Sequence, residues 1–126
     1  MAFHNTLGKW GERVAVEYLI TLGYAIVETN WHNGHYEIDI IATKGNRMIF
    51  VEVKTRSSEE YDPLEAVDTR KKSHMVNSAN NYILSHDLPY EVQYDIVTVI
   101  GDPHNHTIDH IPDAFIPSLT TRHARR

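Results

Sequence analysis

The sequence lacks cysteine, long apolar runs and an excess of basic residues, and each absence excludes a class of protein. Without cysteine the chain can form no disulfide framework, no thiolate nucleophile and no cysteine-based zinc site. No apolar stretch approaches the roughly 20 residues that span a membrane. The N-terminal segment also lacks the apolar centre of a signal peptide, so we expect a cytoplasmic protein with no membrane partner.

The chain is acidic overall, with 12 Lys and Arg residues, 17 Asp and Glu residues and a net charge of −5. This balance argues against tight non-specific binding to nucleic acid, because basic side chains normally supply most of that affinity. A local basic patch is still compatible with it, and Lys54, Arg56, Arg70, Lys71 and Lys72 could form one. Bound metal ions could offset an acidic site beside such a patch.

Hydrophobic periodicity and turn residues predict the order helix, three strands, helix, two strands. This order implies an α/β fold in which helices pack against a mixed sheet. We expect a single domain over residues 1–115 and a frayed tail over residues 116–126. The predicted helices cover residues 6–22, capped by Thr6 and stopped by Gly23, and 70–85; the predicted strands cover residues 24–30, 38–42, 48–53, 91–100 and 107–111, with a loop over 31–35.

The segment Glu37–Arg56 predicts a hairpin that gathers charged side chains. Side chains alternate along a strand, so Glu52 and Lys54 share one face of the second strand, while Asp39 and Ile38 lie on opposite faces of the first. A turn near residue 45 sets residue 39 opposite residues 51–52. The two carboxylates and the ammonium group therefore converge.

Two interpretations of this cluster are open. Carboxylate oxygens are the hard ligands that Mg²⁺ and Mn²⁺ prefer, and a neighbouring lysine could hold a water molecule or stabilise transition-state charge. Such a site could cut a phosphodiester. Equally, hairpins with one solvated face carry charges of this kind without any function.

Glu12 is the unusual residue of the first helix, because it shares a face with the apolar residues Ala15 and Leu19. A surface partner such as Lys9 or Arg13 would explain it. Alternatively, Glu12 is a third carboxylate that reaches the cluster on the hairpin.

Histidines near the C-terminus suggest a competing site, since His104, His106 and His110 form an HxHxxxH pattern and imidazole binds zinc well. No cysteine or carboxylate at matching spacing supports zinc there, so a turn is the preferred interpretation. Asp95, in the middle of an apolar strand, is expected to be a structural or supporting acid.

Taken together, these motifs resemble the YraN-like uncharacterised family of bacterial proteins, which belongs to the PD-(D/E)XK nuclease superfamily and is similar to archaeal Holliday-junction resolvases. The matching residues are Gly11-Glu12, Ala15, Tyr18-Leu19, Gly23-Tyr24, Asn30, Glu37-Ile38-Asp39, Ile41-Ala42, Phe50-Val51-Glu52-Val53-Lys54-Thr55-Arg56, Pro63, Glu65-Ala66-Val67, Lys71, Ala79, Tyr82 and Asp95-Ile96-Val97.

The resemblance implies a three-layer α/β/α restriction-endonuclease-like fold with a central mixed sheet. It further implies that Asp39, Glu52 and the carbonyl of Val53 bind Mg²⁺ or Mn²⁺. Lys54 would then be the catalytic lysine, and Glu12 would be the helix acid typical of the resolvase-like branch. Two departures leave these ligands in place: a His-Tyr pair stands where a glycine usually precedes the acids, and isoleucine replaces the superfamily's proline.

Substrate contacts are expected from Lys71 and Arg56. We predict an endonuclease-like protein that acts on DNA, with branched or flapped DNA as its substrate, and a resolvase-like task would favour a two-fold homodimer. The alternative is a non-catalytic nucleic-acid-binding or protein-interaction module on the same scaffold. The acidic charge and the lack of an aromatic base-stacking platform favour that alternative.

Overall fold

A computed structural model describes residues 2–63, 69–86 and 91–115. The predicted order of elements is confirmed, while the predicted tail over residues 116–126 lies outside the described residues. The elements are helix α1 (Ala2–Thr21), strands β1 (Ala25–Asn33), β2 (Tyr36–Lys44) and β3 (Arg47–Arg56), helix α2 (Thr69–His86), and strands β4 (Glu91–Asp102) and β5 (Asn105–Ile111).

The five strands form one sheet in the order β1-β2-β3-β4-β5. Strands β1, β2 and β3 are antiparallel neighbours, β3 and β4 are parallel, and β4 and β5 are antiparallel. Because a parallel pair needs a long crossover, the chain passes through α2 between β3 and β4. The predicted mixed sheet is therefore confirmed.

The two helices cover opposite faces of the sheet, which gives three layers. Apolar side chains on the two faces belong to two separate buried clusters, one packed against each helix. The α1 cluster contains Ala15, Leu19, Tyr24, Ile40, Ala42, Ile49, Val51, Val97 and Val99. The α2 cluster contains Ile38, Ile41, Met48, Phe50, Met75, Val76, Ala79, Tyr82 and Tyr94.

Helix α1 begins earlier than predicted and ends at Thr21, one residue before the predicted end. It starts at Ala2, so Thr6 lies inside the helix and the prediction of a Thr6 cap is wrong. No proline or glycine stands before residue 6 to prevent the additional turn. At the other end, Gly23 has a φ of 92° and its N–H donates to the carbonyl of Ile20 at 3.0 Å. This left-handed residue ends the helix.

Strand β1 is longer than predicted and carries a bulge. Its pairing with β2 continues to Asn33 opposite Tyr36, so only residues 34–35 form the turn that was predicted to span residues 31–35. The register shifts between Ile26 and Glu28, which leaves Val27 as the extra residue, and its side chain is 47% exposed. Among the described strands, β1 and β5 are the edges of the sheet.

Asp95 on β4 is hydrogen-bonded to β5, to the residue before β1 and to the segment after β5. Its fully buried carboxylate accepts hydrogen bonds from the Tyr24 hydroxyl at 2.6 Å, the Gln93 amide at 2.8 Å and the Asp113 backbone N–H at 3.0 Å. The His110 ring contacts the same carboxylate at 2.8 Å. The predicted structural acid is thus the centre of a buried polar network.

Helix α1 crosses strand β3 very closely at Gly11. A methyl group added at this position would overlap the hydroxyl oxygen of Thr55, whereas a methyl group at Gly8 would meet no atom within 4 Å. A glycine is therefore required at residue 11 for packing, and not at residue 8.

This contrast predicts opposite effects of alanine at two positions of one helix. Gly11→Ala should destabilise the protein by about 1–2 kcal/mol, because overpacking outweighs the better helix propensity of alanine. Gly8→Ala should stabilise it by up to about 1 kcal/mol. Urea unfolding of both variants measures the difference. Thr55→Ala, which removes the clashing oxygen, should recover stability in the Gly11→Ala background, and equal effects at the two glycines would contradict the packing argument.

Within the described part of the chain, no helix has both the length and the apolar character needed to cross a membrane.

Candidate active site

The candidate site lies where strands β2 and β3 separate. Their pairing begins with Lys44 opposite Arg47 and ends with Ile40 opposite Val51. Beyond this point the N–H of Val53 donates to the carboxylate of Asp39 at 2.8 Å, so a side chain takes the place of the backbone acceptor. Since the N–H and C=O of one strand residue point to the same side, the carbonyl of Val53 also points toward β2. The separation opens the sheet at this corner.

Glu52 and Lys54 lie on β3 beside this opening. The Lys54 ammonium is 3.2 Å from a carboxylate oxygen of Glu52, and the two side chains are 5% and 15% exposed, respectively. An ammonium group this buried needs a charged partner, and Glu52 supplies one. Residue 39 falls opposite residue 52, which lies within the predicted register of 51–52, and its carboxylate also reaches the backbone of Val53.

The surroundings of Asp39 disfavour the charged form of its carboxylate. Burial raises its pKa from an ordinary value of 3.8 to about 6; the charges of Glu12, Glu52 and Glu37 add to the rise, and the Val53 hydrogen bond opposes it. Four carboxylates are thus close enough to interact. A cation placed among them would relieve this repulsion.

Helix α1 brings Glu12 into this group through Asn30. The side-chain amide of Asn30 donates to the Glu12 carboxylate at 2.7 Å, and Asn30, rather than the predicted Lys9 or Arg13, is the partner that the structure gives Glu12. Asn30 has a φ of 55°, and the pairing of β1 with β2 places it opposite Asp39. Asparagine tolerates this left-handed conformation better than most residues.

The donor atoms at this corner suit Mg²⁺ or Mn²⁺. Two carboxylates, Asp39 and Glu52, and the carbonyl of Val53 are hard oxygen donors, and Mg²⁺ commonly takes one or two carboxylates and completes its shell with water. Within the described residues, no three His, Cys, Asp or Glu side chains are arranged to hold an ion. An ion at this corner would therefore take most of its shell from water.

Two recesses meet at Glu52 and Val53. The first is a cleft of about 210 Å³ on the α2 side, lined by Glu37, Ile38, Asp39, Phe50, Val51, Glu52, Val53, His74 and Met75. The second, of about 310 Å³, lies on the side of the α1 N-terminal half and is lined by Leu7, Gly8, Glu52, Val53, Lys54, Thr55 and Arg56.

Of the two predicted substrate-contacting residues, Arg56 and Lys71, the structure describes the side chain of Arg56 alone. Arg56 lines the second recess, where its guanidinium donates to the carbonyl of Thr55 at 2.9 Å. Lys71 lies in the first turn of α2, but its side chain is outside what the structure describes.

The three histidines of the competing zinc hypothesis do not converge. His104 is exposed in the β4–β5 turn, and the His106 ring packs edge-on against Trp10 with 5.3 Å between ring centres. The ring nitrogens of His110 contact Tyr18 at 3.0 Å and Asp95 at 2.8 Å. His110 thus belongs to the structural network, and the described residues give zinc no support there.

Three residues of the site were not predicted to have a role in it: Asn30, Glu37 and His74. Asn30 ended the predicted strand, where asparagine is ordinary, so its position inside β1 is known only from the structure. Alternation placed Glu37 on the face of Asp39, yet no role was assigned to it. His74 reaches the cleft from α2, a contact that only the tertiary structure reveals.

The raised pKa of Asp39 predicts a pH-dependent stability. Between about pH 4 and pH 6 the folded state keeps a proton that the unfolded state releases, so stability falls as pH rises, by roughly 3 kcal/mol in total. Asp39→Asn has no such group. Without divalent ions it should therefore be more stable than wild type at pH 8, and this advantage should shrink toward pH 4.

Urea unfolding in EDTA at pH 4, 6 and 8 measures this effect. Glu59→Gln, which changes an exposed carboxylate in the turn after β3, is the matched control and should follow the wild-type curve. If the free energies of unfolding of Asp39→Asn and wild type differed by the same amount at all three pH values, the pKa of Asp39 would not be raised in the folded state.

Comparisons with known proteins give a consistent result. Residues 11–99 match the sequence model of "Uncharacterised protein family UPF0102". A UPF0102 protein of Bacteroides thetaiotaomicron is 48% identical over 120 residues, which cover 94% of this chain and 99% of the relative. A Bacteroides fragilis relative is 46% identical over 120 residues, covering 94% and 99% of the two chains. A Flavobacterium psychrophilum relative is 46% identical over 116 residues, covering 91% and 98%.

Proposed function

Since this chain belongs to the UPF0102 family, we propose from the geometry of its cleft that it is a Mg²⁺- or Mn²⁺-dependent endonuclease of the PD-(D/E)XK superfamily. Its substrate would be DNA, with branched or flapped DNA as the preferred form. The three-layer mixed-sheet fold is compatible with the restriction-endonuclease-like class.

The observation that carries this proposal is the convergence of Asp39, Glu52 and Lys54 at the place where β2 and β3 separate. The Asp39 carboxylate accepts a hydrogen bond from the backbone N–H of Val53, and the ammonium of Lys54 lies 3.2 Å from a carboxylate oxygen of Glu52. A solvated strand face would not require a lysine side chain that is only 5% exposed or an aspartate whose pKa is raised to about 6. The arrangement therefore favours a site over an ordinary polar surface.

Each residue then has a distinct role. Asp39, Glu52 and the carbonyl of Val53 would hold the ion, which when bound supplies Lewis-acid stabilisation of the phosphate and a lower pKa for bound water. Lys54 would orient the attacking water and offset the charge that develops at phosphorus. Glu12, held by Asn30, would complete the acidic cluster.

Substrate affinity would come from a local surface and not from the overall charge. Arg56 lines the recess next to Lys54, and we assign it, together with Lys71, to phosphate contacts. A branched substrate cut symmetrically on two strands needs two sites, which a two-fold homodimer would provide.

Cleavage assays test the proposal. Purified protein is mixed with labelled single-stranded, duplex, flap and four-way-junction DNA in the presence of Mg²⁺, Mn²⁺ or EDTA. We expect metal-dependent cutting that is greatest on a branched form. Binding of these DNAs without any cutting that depends on the site residues would favour the alternative of a non-catalytic binding module.

A further inference from the structure

The two recesses meet at two of the three proposed ion ligands. Glu52 and Val53 line both of them, whereas Lys54 lines only the recess on the α1 side and His74 only the cleft on the α2 side. In phosphoryl transfer the attacking and leaving oxygens are roughly in line on opposite sides of phosphorus. A phosphate bound through an ion held by Glu52 and Val53 would thus lie where the two recesses meet, with one of these two oxygens toward each recess.

The leaving side of such a reaction needs a proton donor. Among the described residues that line the cleft, His74 carries the only side-chain N–H, since the others are carboxylates or apolar groups. Its side chain is exposed on α2, while the next residue, Met75, is buried in the core beneath it. Imidazole can give and take protons near neutral pH, which makes it the most common general acid.

We propose that His74 is the general acid that protonates the leaving oxygen, an inference that rests on the proposed nuclease function. A water molecule on the Lys54 side loses a proton to solvent, and its oxygen bonds to phosphorus. The bond from phosphorus to the leaving oxygen breaks on the His74 side, and its electron pair stays on that oxygen. The protonated imidazole gives up its N–H proton, so the oxygen departs as a hydroxyl group, and the neutral ring regains a proton from solvent.

A change of leaving group tests this role. Once the cut link has been mapped, the leaving bridging oxygen is replaced by sulfur, because a thiolate departs without needing a proton. His74→Asn should cut the all-oxygen DNA about 100-fold more slowly than wild type, and the sulfur-containing DNA at a rate within about 3-fold of wild type. His104→Asn, which changes an exposed histidine in the β4–β5 turn, is the matched control and should cut both DNAs normally.

The possible outcomes separate this inference from the proposed function. If His74→Asn slows both DNAs equally, or slows neither, His74 is not the general acid, although the nuclease function stands. If wild type cuts neither DNA, the nuclease function fails and the role of His74 fails with it.

Metal binding gives a second readout that does not depend on turnover. Calorimetry should find the same Mn²⁺ affinity in His74→Asn as in wild type, because His74 is assigned to the substrate and not to the ion. A loss of Mn²⁺ affinity of about 10-fold or more would make His74 an ion ligand and would overturn the assignment.

Discussion

Asp39→Asn should lower metal-dependent DNA cleavage at least about 100-fold, and Lys54→Met should have an effect of similar size. The first change removes a charged ion ligand, and the second removes the ammonium group that orients water. Both variants are compared with wild type under single-turnover conditions. Because Asp39→Asn is expected to be more stable than wild type at pH 8, unfolding would not explain its loss of activity.

A matched control comes from the same cleft. Glu37 lines it and interacts electrostatically with Asp39, but we do not assign it to the ion. Glu37→Gln should therefore keep its cleavage rate within about 3-fold of wild type. Mg²⁺ at about 100 times its dissociation constant should stabilise wild type by about 2.7 kcal/mol and leave Asp39→Asn nearly unchanged. Residual cutting that is equal in wild type, Asp39→Asn and Lys54→Met would indicate a contaminating nuclease.

Asp95→Ala should destabilise the fold by about 3–5 kcal/mol, the largest stability effect that we expect from a single substitution. The change leaves the Tyr24 hydroxyl, the Gln93 amide and the His110 ring without their buried carboxylate partner. Chemical denaturation at pH 7 measures the loss. The control is Asp102→Ala, which removes a carboxylate that accepts hydrogen bonds from two backbone N–H groups of the exposed β4–β5 turn. It should lower the free energy of unfolding by only about 1 kcal/mol.

Acid should weaken this network further. Burial by itself would raise the pKa of Asp95, but hydrogen bonds from His110, Tyr24, Asp113 and Gln93 outweigh burial and hold the pKa below its ordinary value. The carboxylate therefore stabilises the fold above its ordinary pKa near 4, and this contribution is lost as pH falls below that value. If Asp95→Ala unfolded at the same denaturant concentration as wild type at pH 7, the network would not be structurally important.

Local pattern was sufficient to predict much of the site. Alternation along the hairpin and a turn near residue 45 placed residue 39 opposite residues 51–52, because strand register follows directly from turn position. Helical spacing marked Glu12 as a carboxylate on an apolar face. Gly23 marked the end of α1, because a left-handed residue is the usual way to end a helix.

Other features depend on contacts between distant segments. The predicted start of α1 was wrong because a helix cap at Thr6 was preferred over continuation of the helix toward the N-terminus. Helix propensity alone does not decide between these two possibilities. His74 reaches the cleft only because the crossover from β3 to β4 lays α2 over this face of the sheet. The partners of Asp95 lie 71 residues away in Tyr24 and 15 residues away in His110. No periodic pattern in the sequence links such positions.

The bulge at Val27 also bears on how the edge of the sheet avoids pairing with other chains. An edge strand presents unpaired backbone groups that can recruit a strand of another molecule and begin aggregation. The extra residue between Ile26 and Glu28 interrupts the regular spacing of these groups on β1. A strand of a second chain could therefore not pair regularly along this edge. The exposed apolar side chain of Val27 thus does not lie on an edge strand with continuous unpaired backbone groups.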